Sequence, residues 1–279
     1  MTDRAALAAA DMSRITWPRI LSVAAEIVRS YETGVTLRQL FYRLVAEGYL
    51  PNTPSAYKNL SKTTAAARRR GDFPNLIDRT RAIHRYRTFT GPVDARGWLS
   101  DIYRRDRTEG QDLSLYLGVE KHGLVELLRA WFGDLGVPIV ALGGYSSQTY
   151  ADDIAADVVA QGRPAALLYA GDFDPSGEDI PRDLIARTGC FDEVVRVALT
   201  TEQVDEYDLP PLPGKATDSR ARAFRERYGD LVQVEVDALP PDVLRDLFQA
   251  AISRLWDMST YERILAEEAK ERRALRSIA

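Results

Sequence analysis

From residue 112 onward the chain alternates short apolar runs with helical stretches, and no other feature limits its possible folds so strongly. The runs are "LSLYLGVE", "VPIVALGG", "PAALLYAGDFD", "VVRVALT" and "LVQVEVDAL", rich in Val, Leu and Tyr, and residues 123–133, 147–160 and 177–188 carry helical spacing between them. Strands separated by helices do not pair as hairpins; they pair in parallel, with helices covering both faces of the sheet. The expected class is therefore α/β, with a mainly parallel, Rossmann-like sheet over residues 112–257. Residues 258–279 read as a charged helix, either solvated or in contact with a second subunit.

Residues 1–90 have a different texture. A helix is expected over 13–31, ended by Gly34. Thr36 then stands where a helix N-cap belongs, with Gln39 three residues on, the spacing of a capping box. That helix closes at Gly48. After the turn "YLPNTPS", a third helical segment, "AYKNLSKTTAAARRRG", runs to Gly71. Two short helices joined by a tight polar turn, the second ending in Arg68, Arg69 and Arg70, have the pattern of a helix-turn-helix or winged-helix DNA-binding unit, a pattern shared with helical hairpins that bind nothing. Residues 91–111 read as a connector, and residues 201–230, with "LPPLPGK", as a polar excursion before the last strand.

Charge separates the same regions. Residues 1–90 hold 15 Lys/Arg against 7 Asp/Glu, and the remainder holds 22 against 34, so +8 and −12 make up the net charge of −4. A basic first part suits a polyanion, and an acidic second part suits a metal or substrate; a solvated charged face would give the same asymmetry. Lys58, Lys62, Arg68, Arg69 and Arg70 are the expected phosphate contacts. No apolar run reaches the roughly 18–20 residues a membrane span needs, and the first residues lack a basic segment followed by an apolar one, so the expected location is cytoplasmic and nucleoid-associated. Cys190 is the only cysteine and His84 and His122 are the only histidines, which leaves carboxylates as the ligands for any metal.

In open parallel sheets reactive groups collect beyond the carboxyl ends of strands. Glu120 ends the first apolar run. Asp172 and Asp174 end the third, in "GDFDPSG". Side chains two apart on an extended segment share a side, at roughly 7 Å, so the three carboxylates make a hard-oxygen cluster suited to Mg²⁺ or Mn²⁺. The bland alternative is that Asp172 and Asp174 cap the following helix or make a turn with Pro175 and Gly177. Glu235 and Asp237, at the end of the last apolar run, either support the metal ligands from behind or are structural, and the structural role is favoured.

The segment "TLRQLFYRL" raises a separate question. Leu37, Leu40, Phe41, Leu44 and Val45 form the i, i+3, i+4, i+7, i+8 stripe of a buried helix face, and Tyr42 falls off it with Arg38 one turn before it on the same flank. Phe41 is then the packing aromatic. A guanidinium beside a phenol favours the phenolate and can hold a phosphate, so Tyr42 can be a nucleophile; a surface tyrosine that stacks on DNA without reacting fits the same position.

Glu120 in "GVEKHGL" with Asp172 and Asp174 in "AGDFDPSGEDI" resembles the glutamate and D-x-D of the Toprim fold. The "DPSG" continuation is similar to the Toprim domain of the topoisomerase VI A subunit and its meiotic double-strand-break relative. "TLRQLFYRL" resembles their winged-helix segment, in which an arginine precedes the DNA-cleaving tyrosine, a residue that maps onto Tyr42. The order of the two parts matches over about residues 30 to 250, and the shorter Mini-A proteins are the most similar group. The resemblance implies a winged-helix domain at 1–90 and a Toprim domain at 112–257. It further implies Mg²⁺-dependent cleavage of double-stranded DNA through Tyr42, Arg38 and Glu120, a homodimer making two cuts, and a 5′-phosphotyrosyl link. "GGYSS" (143–147) stands where the family has a glycine-aromatic turn. The chain departs from the pattern in having Phe41-Tyr42 in place of a tyrosine pair, and it contains no Walker-type ATPase motif, so strand passage driven by ATP would need a separate partner. A Toprim nuclease that uses water, or a DNA-binding regulator with a structural acid cluster, remain the alternatives.

Overall fold

Three helices open the described part of the chain: α1 (Trp17–Ser30), α2 (Leu37–Ala46) and α3 (Pro54–Arg69). Helix α4 (Pro92–Ile102) follows, then β1 (Ser114–Val119), α5 (His122–Phe132), β2 (Ile139–Ala141), α6 (Gln148–Gln161), β3 (Ala165–Ala170), α7 (Pro175–Thr188) and β4 (Glu193–Ala198). The chain continues through α8 (Thr201–Glu206), β5 (Leu212–Pro213), α9 (Ala221–Tyr228), β6 (Val232–Gln233), a 3₁₀ turn at Val236–Ala238, α10 (Pro241–Leu255) and α11 (Met258–Ser277). This computed structural model describes residues 16–31, 34–77, 85–143, 146–213, 218–229 and 231–277. Among them no helix is long and apolar enough to cross a membrane. The chain divides into two compact units, one of Met1–Asp78, Gly171–Glu178 and Ala198–Leu247, the other of Arg79–Ala170, Asp179–Val197 and Phe248–Ala279.

The second unit contains the sheet. Its order is β2-β1-β3-β4, and β1 lies parallel to both neighbours, with Leu117 opposite Ile139 on one side and Leu168 on the other. The α/β class expected from the alternation of runs is therefore present. Every residue of β1 and β3 is buried, as a strand covered on both faces requires, and this is why those runs read as continuously apolar. Tyr116, Leu167 and Tyr169 pack with Ile154 and Val158 of α6, Ile180 and Leu184 of α7, and Phe191. The Tyr116 hydroxyl donates to Asp157 at 2.6 Å, so the one polar atom of that ring is satisfied.

The segment read as a connector carries α4, and α11 packs against it. The expectation of a merely solvated terminal helix gives way here, because Tyr261, Ile264 and Glu268 of α11 are buried. Glu268 takes two hydrogen bonds from the Arg107 guanidinium, at 2.9 and 2.7 Å, and a third from the Arg105 amide at 3.2 Å. Gln111 and Asp257 exchange a reciprocal pair at 2.8 Å each. Charged tails hide such inward contacts in sequence because the solvated residues outnumber the buried ones.

The first unit holds α1 to α3. Buried Ile20, Ala24, Ala25, Ile27 and Val28 line one face of α1, and Ala56, Leu60, Thr64 and Ala67 line one face of α3. Thr36 and Gln39 form the expected capping box, with bonds of 3.2 and 2.9 Å. Gly34 has a role other than the one its position suggested. Helix α1 stops at Ser30, and a Cβ on Gly34 would stand 2.6 Å from the Ile77 side chain, so the glycine allows Ile77 to bond its amide to Val35 O and bridge Thr36.

The last apolar run also differs from its expectation. "LVQVEVDAL" does not add a strand to the parallel sheet. Its Val232 and Gln233 pair antiparallel with Pro213 and Leu212, Val234 bridges Phe173 in both directions, and the chain then turns at Val236–Ala238. Period-two alternation fixes an extended backbone but does not name the partner strand.

The Arg107–Glu268 pair gives a stability prediction. Hydrogen bonds from Arg107 hold the Glu268 carboxyl below the usual carboxylate range, against the opposing effect of burial. Its contribution is thus present above the unfolded-state pKa of about 4.3 and is lost as pH falls through the folded value. Glu268→Gln should cost about 2 kcal/mol in urea denaturation at neutral pH, because it removes the nearer of the two carboxylates that meet Arg107, the other being Asp134 at 3.4 Å, and the gap from wild type should shrink below about pH 4.

Candidate functional site

Helix α2 brings Arg38 and Tyr42 together, one turn apart, with the guanidinium carbon 5.9 Å from the ring centroid. Tyr42 was expected on an exposed flank, but it is 7% exposed. The helix is buried on two sides. Leu40, Phe41 and Leu44 of the apolar stripe are buried as expected, yet so are Gln39 and Tyr42, while Leu37 and Val45 at the stripe's edge are only half-buried. The 3₁₀ turn at Val236–Ala238 packs on α2, and Phe41 meets Tyr42 edge-on at 5.5 Å. A helical wheel finds only the face with apolar residues. A second face covered by polar groups leaves no such pattern.

The polar groups on that face are Glu235 and Asp237. Arg38 Nη2 donates to Glu235 Oε2, and Arg38 Nε lies 3.3 Å from Asp237 Oδ2. Burial opposes the guanidinium charge, but Glu235 and then Asp237 outweigh it and raise the Arg38 pKa, so the group stays protonated. Two carboxylates already match its charge. The phenolate-stabilising role expected of Arg38 is weakened accordingly, and what remains is donation of hydrogen bonds.

The same segment reaches Asp172. The buried carboxylate, 5% exposed, accepts the Val236 amide on Oδ1 at 2.8 Å, and the neighbouring Phe173–Val234 bridge runs at 2.8 and 3.0 Å. Phe173 points into an aromatic group with Phe224 and Tyr228, at 5.2 and 5.0 Å between centroids. Asp174 caps α7, its Oδ1 accepting the Gly177 amide at 2.7 Å. The capping role weighed for Asp174 is thus present. Arg38, Tyr42, Asp172, Glu235 and Asp237 come together in one unit from three distant stretches of sequence.

Glu120 belongs to the other unit. It directly follows β1, its amide donates to Ala170 O at 3.0 Å, and a Cβ on Gly143 would come within 2.7 Å of its carbonyl oxygen. The glycine that opens "GGYSS" therefore lies against the Glu120 backbone, while Gly144 and Tyr145 fall outside the described residues. On α3, Lys58, Lys62 and Arg69 are exposed and recur at i, i+4 and i+11, which puts them on one face. Arg70 is exposed and pairs with Asp72 at 2.7 Å, and Arg68 is half-buried.

Hard carboxylate oxygens suit Mg²⁺ in kind, and a backbone amide on one oxygen of a carboxylate is compatible with a metal on the other. Among the described residues no group of three or more His, Cys, Asp or Glu is gathered as a metal site. Glu235 and Asp237 both meet Arg38, a pairing that the expectation of structural acids did not name. The signal was there in "VEVD", two acids on alternate positions of an apolar run, a costly arrangement unless a cation meets them. No protein-family model matches the chain, and no curated protein matches it.

Asp172 is a structural acceptor as well as a candidate ligand. Asp172→Ala should lower stability in metal-free buffer by about 1–3 kcal/mol, since it leaves the buried Val236 amide unpaired. Asp172→Asn, which keeps an acceptor oxygen, should lose much less in the same thermal or urea melts.

Proposed function

We propose that this chain is a DNA-cleaving protein of the topoisomerase VI A-like type, in which a winged-helix part presents Tyr42 and a Toprim part supplies acids. The observation that carries this reading is the convergence, inside one compact unit, of Arg38 and Tyr42 with Asp172, Glu235 and Asp237. Packing alone does not call for that arrangement, because withdrawing charges from water costs free energy that a well-packed apolar cluster would not.

In this reading a homodimer holds double-stranded DNA, and Lys58, Lys62 and Arg69, with Arg68 and Arg70 beside them, contact phosphates without reading sequence. The Tyr42 oxygen forms a bond to a backbone phosphorus, the bond from that phosphorus to the 3′ oxygen breaks, and a 5′-phosphotyrosyl link with a free 3′ hydroxyl results. Arg38 donates hydrogen bonds to the phosphate as it passes through its transition state. Asp172 and Asp174 are the candidate ligands within this unit for Mg²⁺, or Mn²⁺, which would supply charge stabilisation for the attacking and leaving oxygens.

One observation favours a second reading. Tyr42 is buried, and a nucleophile must be reached by its substrate. A metal-dependent Toprim nuclease that uses water in place of Tyr42 satisfies that burial without further movement.

Supercoiled plasmid incubated with the protein and Mg²⁺ or Mn²⁺, then run with and without protease, separates the two. The first reading predicts cut DNA that enters the gel only after proteolysis and is absent with Tyr42→Phe. Cutting that needs no protease and survives Tyr42→Phe would establish the nuclease.

A further inference from the structure

We infer that Glu235 and Asp237 are positioning residues: they fix the inner edge of the Arg38 guanidinium so that its outer edge is presented to a phosphate beside Tyr42. This rests on the proposed cleavage by Tyr42 and gives Glu235 and Asp237 a task at Arg38.

An arginine has a planar fork with donors on two edges. Here the edge formed by Nε and Nη2 faces Asp237 and Glu235. Among the described residues Nη1 has no partner. The exposures divide the same way: the Arg38 side chain is 45% exposed, whereas those of Glu235 and Asp237 are 12% and 9% exposed. The guanidinium is thus anchored from inside and open from outside, and it lies over the Tyr42 ring.

The anchor is itself held. Val234 is bridged to Phe173, and the Val236 amide is bonded to Asp172, so the backbone carrying both acids is tied at alternate residues to the segment that bears Asp172. Side chains of residues 235 and 237 leave the chain two apart and converge on one guanidinium. A lysine could not serve, because a single ammonium cannot meet two carboxylates along one edge and offer another edge to a phosphate.

The account predicts a loss in the chemical step with little loss in DNA binding. In single-turnover assays of covalent adduct formation on duplex DNA, Glu235→Ala/Asp237→Ala, which removes both acceptors, should slow the adduct about 100-fold, the size of penalty that a misplaced group brings. The Kd for duplex should stay within about threefold of wild type. Arg38→Lys should lose a similar factor, and the triple variant should be no slower than Arg38→Lys alone, because the acids act through the arginine. Glu235→Asp should recover part of the rate. If the double variant melts early, Asp237→Ala alone carries the test, since it removes the longer of the two contacts. A double variant as fast as wild type, or losses that multiply in the triple variant, would overturn the positioning role while leaving Tyr42 as nucleophile. No adduct from the wild-type protein would instead overturn the cleavage reading, and the positioning role with it.

Discussion

The hydrogen bond from the Val236 amide to the buried Asp172 carboxylate, beside the Phe173–Val234 bridge, joins the parts of the first unit on which the functional reading depends. A buried carboxylate needs donors, and a buried amide needs an acceptor; each supplies the other. The bond stops the extended run after Val234 and commits the next residues to a turn, and that turn sets Glu235 and Asp237 against Arg38.

The charge arrangement that results is economical in one respect and costly in another. One guanidinium serves two carboxylates, so Arg38 neutralises part of the acid cluster, yet Asp172, Glu235 and Asp237 together outnumber it. Buried carboxylates are kept only where donors or cations meet them. The bipartite capping pattern is of the opposite kind. The Thr36–Gln39 box on α2 and the Asp174 cap on α7 satisfy helix ends locally and ask nothing of distant residues.

Local rules of that second kind are what the sequence made legible. The capping box, the runs that become β1 to β4, and the helices between them follow from spacing over a few residues; the helices lie within two residues of where the pattern puts them, while β2 and β3 stop before the ends of their runs. Three features followed from partners far along the chain and were not legible. The helix that carries Tyr42 is met by a turn some two hundred residues later, so the burial of Tyr42 leaves no apolar stripe in its own segment. "LVQVEVDAL" has a strand's alternation, but its pairing with Leu212, Pro213 and Phe173 is decided by tertiary context. The inward face of α11 is a minority of its residues, and Glu268 in "AEEAKERR" looks like any other solvated acid until Arg107 is placed beside it. For the candidate site, the residue types were readable and their mutual contacts were not: Arg38 beside Tyr42 follows from helix geometry, Arg38 on Glu235 and Asp237 does not.

The claim that Tyr42 becomes joined to DNA is tested most directly by mass spectrometry. DNA-treated protein would be denatured, digested with nuclease and then with protease, and searched for the peptide that contains Tyr42. The account predicts that peptide with a nucleotide attached through its 5′ phosphate to the tyrosine oxygen. Cut DNA accompanied only by the unmodified peptide would contradict it.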